Sequence, residues 1–229
     1  MTKNISKIII IFIISLCGGL LGSQIVWPSY QSANLPTSII ESKEIVIQEN
    51  VALQDSVQKI QKSIVGVRTK TKEGKIIFGS GLVVTSDGLI ITLSELVPLK
   101  GDFTFFINSK TPNWQILKRD VENNLILVKL DLNDLMTISF SNRDELKAGE
   151  RVFIGGTIFD NNKPLVTINE GIIKFFNEEY IRTNMFEKKT LSGSALFNIK
   201  GELLGLNTID DEERVTAIPI NKIKDFLGY

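Results

Sequence analysis

Residues Ile181 to Ile209 read IRTNMFEKKTLSGSALFNIKGELLGLNTI, with apolar β-type runs flanking a turn of small residues. At its centre, Leu191-Ser192-Gly193-Ser194-Ala195-Leu196 sets a serine on that turn. An apolar run follows, then an Ile199-Lys200-Gly201 turn, then a second apolar run. A nucleophile displayed between two strands has this pattern. A serine attacks only when a base takes its proton. The usual base is histidine, and the chain contains none.

Outward from this stretch the chain keeps the same texture. From Ile64 onward, short apolar segments alternate with turn residues such as Lys72-Glu73-Gly74, Ser86-Asp87-Gly88 and Asn161-Asn162-Lys163-Pro164. In the second half, strands are expected at Met136–Phe140, Arg151–Ile158, Leu165–Ile168, Gly171–Phe176, Tyr180–Arg182, Ala195–Ile199, Glu202–Asn207 and Arg214–Ile218. Many short strands at regular spacing argue an all-β barrel or sandwich. Two short amphipathic helices frame this region, one over 50–62 with Asn50 as N-cap, the other within 220–229.

The N-terminal part differs. Lys3 and Lys7 precede Ile8 to Trp27, a run of 20 residues without a charge. As a helix this run spans a hydrocarbon core of about 30 Å. The lysines before it set residues 1–7 in the cytoplasm and everything after Trp27 outside, periplasmic or extracellular. An uncleaved signal anchor over 8–27 is the expectation, with a cleaved signal peptide as the rival. Residues 28–49 read as a polar tether.

Lys+Arg and Asp+Glu both number 26, which gives no electrostatic case for a nucleic-acid partner. The absence of histidine and the single cysteine, Cys17, argue against a metal centre and exclude an internal disulfide. No cofactor is implied.

Several segments occur in an order that resembles the trypsin-like proteases of the HtrA/Deg family, over roughly Asn50 to Tyr229. Gly79-Ser80-Gly81-Leu82-Val83-Val84 and Asp87-Gly88-Leu89-Ile90-Ile91-Thr92 look like the strands leading to that family's catalytic histidine. Asn124-Leu125-Ile126-Leu127-Val128-Lys129-Leu130 looks like the segment that begins with the catalytic aspartate. Gly149 to Gly156, Val166-Thr167 with Gly171-Ile172-Ile173, Ile181 to Thr208, and Ala217-Ile218-Pro219 match the second half. The resemblance implies two six-stranded antiparallel barrels, at 63–135 and 136–219, with an active site in the cleft between them. It also implies a peptide-pairing strand at Arg214, Val215, Thr216, Ala217 and Ile218. The PDZ domain that usually follows in the family is not expected after Tyr229.

At the reactive positions the chain departs from the family. Ser192 keeps the nucleophile position, but Glu95 stands at the histidine position and Asn124 at the aspartate position. Thr190 replaces the oxyanion-hole glycine. A carboxylate with a reference pKa of about 4.3 is a poor base for an alcohol at neutral pH. Asn124 supplies no buried charge to stabilise a protonated base. These departures argue for a vestigial serine in an inactive protease relative that binds peptide or protein partners in the former substrate groove. Two alternatives stay open: an active endopeptidase using Ser192 with Glu95 or a lysine as base, and a structural envelope module. A homo-oligomer is compatible with either.

Overall fold

The computed structural model describes residues 51–142 and 146–229. The expected anchor at 8–27 and tether at 28–49 lie outside the described residues. Among the described residues, no helix is long and apolar enough to cross a membrane.

A helix, α1, covers 51–60 and passes through a 3-10 turn at Gln61–Ser63 into the first strand. Leu53, Val57 and Ile60 turn one face of α1 onto the core, as their spacing predicts. The first lobe has six strands: β1 Ile64–Thr71, β2 Ile76–Val83, β3 Leu89–Leu93, β4 Gly101–Phe106, β5 Trp114–Asp120 and β6 Leu125–Leu130. They pair in the order β4-β1-β2-β3-β6-β5.

That order corrects the expectation of two closed barrels. The edges β4 and β5 are not backbone-paired, so the first lobe is a half-barrel. Across the seam the Trp114 indole N–H donates to the Phe103 carbonyl at 3.1 Å. The same ring makes edge contacts with Phe103 and Phe105, with centroids 5.4 and 5.9 Å away. An aromatic side chain thus bridges the seam where no backbone ladder forms.

The second lobe contains β7 Ser139–Phe140, β8 Arg151–Asp160, β9 Lys163–Phe176, β10 Ile181–Phe186, β11 Ala195–Asn198, β12 Glu202–Ile209 and β13 Arg214–Pro219. Six of these, in the order β11-β8-β9-β10-β13-β12, close into a barrel through the β11–β12 pairing. The short β7 lies parallel to β12, with Ser139 opposite Glu202.

Two expected strands, Leu165–Ile168 and Gly171–Phe176, are one continuous strand. Gly171 does not break β9, because its register with β8 runs from Arg151↔Ile172 to Asp160↔Lys163. The glycine serves close approach instead: a Cβ there would lie 2.6 Å from Met185 Cγ. The β8–β9 hairpin turns at Asn161 and Asn162, both in the left-handed region at φ 48° and 63°. Two such residues form the turn whose twist suits a hairpin.

The tip of that hairpin reaches across to the first lobe. Phe159 stacks on Phe78 at 4.6 Å and meets Phe106 edge-on at 5.4 Å. Beneath the ring lies Gly66, where a Cβ would sit 3.0 Å from Phe159 Cζ. The last helix, α2 Ile220–Leu227, buries Ile220, Ile223 and Phe226 in a core shared by both lobes. It ends at Gly228 (φ 90°), whose N–H donates to the Lys224 carbonyl.

Candidate functional site

From the first lobe, β3 ends in a 3-10 turn at Ser94–Leu96 that presents Glu95 to solvent. The turn between β5 and β6 presents Asn124, with φ 55°. Hydrogen bonds join the two turns. The Ser94 N–H donates to the Asn124 backbone carbonyl at 3.0 Å. The Glu95 N–H donates to Asn124 Oδ1, also at 3.0 Å. Arg119 braces the first turn, donating to Ser94 O at 3.1 Å, Ser94 Oγ at 2.8 Å and Val97 O at 2.5 Å. Burial holds the Arg119 guanidinium pKa below its ordinary value.

From the second lobe comes the turn between β10 and β11. Lys189–Leu191 form a 3-10 turn, and Ser192, Gly193 and Ser194 follow it, all buried. The Leu191 N–H donates to Lys188 O at 2.9 Å, and the Ser192 N–H donates to Lys189 O at 3.0 Å. An oxyanion hole needs unengaged backbone donors aimed at the reacting carbonyl oxygen. Here the Ser192 donor is taken by the protein's own carbonyl. Thr190 lies inside this right-handed turn and is exposed.

The turn is pinned from three sides. The Ser80 N–H donates to Ser192 O at 2.9 Å. Gly193 N–H donates to Asn207 O, and Asn207 N–H to Ser194 O, both at 2.8 Å. Asn207 Nδ2 also donates to Ser194 Oγ at 3.0 Å. Gly193 has φ 79°, and a Cβ there would lie 2.9 Å from Leu96 Cδ1.

The two lobes bring Glu95 and Ser192 onto one pocket of ≈ 280 Å³, which Lys75, Ile77, Leu96, Lys189 and Ile209 also line. Asn124 sits behind Glu95 as its backbone cap. Among the described residues no group hydrogen-bonds the Ser192 hydroxyl. Lys189 forms an ion pair with Asp211. The Asp211 hydrogen bond is the main reason its ammonium pKa lies above the ordinary value. A lysine acting as base needs the opposite shift. A larger cavity of ≈ 680 Å³ lies elsewhere, near the start of β8, and holds no comparable reactive set.

The expected peptide-pairing strand is corrected. Arg214–Ile218 lie in β13, which pairs with β10 (Arg182↔Thr216) on one edge and with β12 (Thr208↔Thr216) on the other. A strand flanked on both edges offers no ladder to an incoming peptide. The open edge beside Ser192 belongs to the end of β12. Asn207 directs its N–H and C=O toward the Ser192 turn, and Thr208 is paired to β13. By strand alternation, the N–H and C=O of Ile209 point to the cleft side. Sequence reasoning also missed Lys75, Ile77 and Leu96, which carry no local signal; only the packing of two lobes makes them neighbours.

A half-barrel and a closed barrel with a serine turn between them define the trypsin-like fold. The family described as the trypsin-like peptidase domain matches residues 79–206, more than half of the chain, and the chain belongs to it. Within it, the chain is homologous to HtrA/DegP serine proteases. Serine protease HTRA1A of Danio rerio is 29% identical over 197 residues, covering 77% of this chain and 40% of the relative. A probable periplasmic serine endoprotease DegP-like of Pseudomonas fulva is 29% identical over 139 residues, 57% of this chain and 28% of its own length. Its counterpart in Buchnera aphidicola is 28% identical over 218 residues, 86% of this chain and 45% of that protein. The chain thus spans less than half the length of these relatives.

Proposed function

We propose that the chain is a membrane-anchored, catalytically inactive HtrA-type domain that binds extended peptide segments in the former substrate cleft. The observation that carries this reading is the Ser192 N–H, which donates to Lys189 O at 3.0 Å instead of facing the cleft. Glu95 at the histidine position, Asn124 at the aspartate position and Thr190 in the 3-10 turn point the same way. Without a base near neutral pKa and an open oxyanion hole, most of the catalysis of such a site is gone. Peptide pairing needs neither. It needs an unpaired strand edge, which Ile209 supplies next to a pocket lined by both apolar and charged side chains. The uncharged run Ile8–Trp27, and the word periplasmic in the names of the bacterial relatives, support a domain held outside the cytoplasm.

A second reading, an active endopeptidase, draws on Glu95 and Ser192 lining one pocket. A serine-directed phosphonate, applied to the full chain from acid to alkaline pH, separates the two. The inactive reading expects no label on Ser192 at any pH. Label that disappears in Ser192→Ala would establish an active serine instead.

A further inference from the structure

We propose that the cleft receives a ligand carboxylate at Lys75 and Lys189, and that Asp211 is an internal carboxylate which this group displaces. The proposal rests on the peptide-binding reading above and specifies its ligand. Lys75 enters the pocket from the first lobe, at the end of the β1–β2 turn, and Lys189 enters from the second. Lys75 is exposed and has no ion-pair partner among the described residues. Lys189 is held by Asp211, but the two side chains are 60% and 88% exposed. Water screens so exposed a pair, so a ligand anchored by other contacts replaces one partner readily.

Those other contacts are present. Ser192 is 4% exposed and lines the pocket, with no group among the described residues bonded to its hydroxyl. A hydroxyl donates well to a carboxylate. Ile77, Leu96 and Ile209 give the adjoining side chain an apolar seat. Glu95 is the one carboxylate among the lining residues, and its field acts on Lys189. Lys75 is the second cation offered to the ligand, and Lys189 is the cation that exchanges Asp211 for it. The ligand carboxylate comes either from a peptide C-terminus or from an Asp or Glu side chain.

The test uses the full chain, immobilised in detergent, and two pools of short random peptides, one with free C-terminal carboxylates and one amidated. Retention of the free-acid pool above the amidated one identifies the chain terminus as the source. Enrichment of Asp and Glu in the amidated pool identifies the side chain. In either case Lys75→Met and Lys189→Met each lower retention about two- to fivefold, and Asp211→Asn raises it. Peptides retained without carboxylate preference, and unchanged in Lys75→Met, overturn the proposal while the peptide-binding reading stands. Lower retention in Asp211→Asn overturns the displacement step. Retention of neither pool overturns peptide binding and this proposal with it.

Discussion

Asn124 accepts the Glu95 N–H through its side-chain oxygen while its own backbone sits at φ 55°. A carboxylate there would accept the same bond. Asparagine therefore removes the charge and keeps the cap, and it tolerates the left-handed conformation better than most residues. Asn124→Ala loses both, and the expected cost is about 1–2 kcal/mol in denaturant unfolding. Asn124→Asp should stay near the parent; an equal loss in both variants would remove the capping role. Gly193 is constrained more tightly, by φ 79° and by Leu96 Cδ1 and Thr92 Oγ1 each 2.9 Å from a Cβ placed there. Gly193→Ala should cost upward of about 2 kcal/mol, and an unchanged denaturation midpoint would contradict this. The replacements at the reactive positions are readable in the sequence. The engaged Ser192 N–H is not, because 3-10 geometry at Lys189–Leu191 depends on what packs around it.

The β5–β6 turn that carries Asn124 is itself held by a carboxylate. Asp120 accepts from Asn123 Nδ2 at 2.8 Å and from the Asn123 N–H at 2.9 Å. The Asn123 side-chain bond, then its backbone bond, holds the Asp120 pKa below the usual aspartate range. A depressed acid stabilises the fold above its unfolded pKa of about 3.9 and loses that contribution as pH falls through the folded value. The parent should therefore exceed Asp120→Asn in thermal stability at neutral pH, and the gap should close in strong acid. A pH-independent gap would mean the carboxylate charge plays no part. At the end of β12, pairing through Ile209 predicts that N-methylation at one backbone position of a retained peptide weakens binding about fivefold. A peptide indifferent to N-methylation at every position is not held as a strand.

Across the whole molecule, Phe159 ties the second lobe to the outer face of the first through Phe78 and Phe106. The same strand, β8, supports the serine turn: a Cβ on Gly156 would meet Leu191 Cδ2 at 2.8 Å and Ser194 Cβ at 2.7 Å. The Thr157 N–H also donates to Ser80 Oγ at 2.8 Å. Removing the ring therefore loosens both the lobe contact and the turn. Phe159→Ala should cost about 2 kcal/mol and speed backbone hydrogen exchange at Thr157 and Ser192. Stability lost without faster exchange at Ser192 would separate the ring from the turn.

The β-rich pattern, the hairpin turns, the two short helices and the order of segments that places Ser192, Glu95 and Asn124 are all local in sequence. Alternation, turn residues and spacing carry them directly. Three features needed the tertiary structure. The first lobe is open between β4 and β5, where the Trp114 side chain donates to the Phe103 carbonyl across the seam. Gly171 continues β9 in register with β8, and it is glycine because Asn184 and Met185 crowd the place of a side chain. The cleft-facing edge is Ile209 rather than β13, because pairing on both sides consumes the backbone donors and acceptors of β13. Which edge is free depends on contacts between residues far apart in the chain, and no local pattern encodes it.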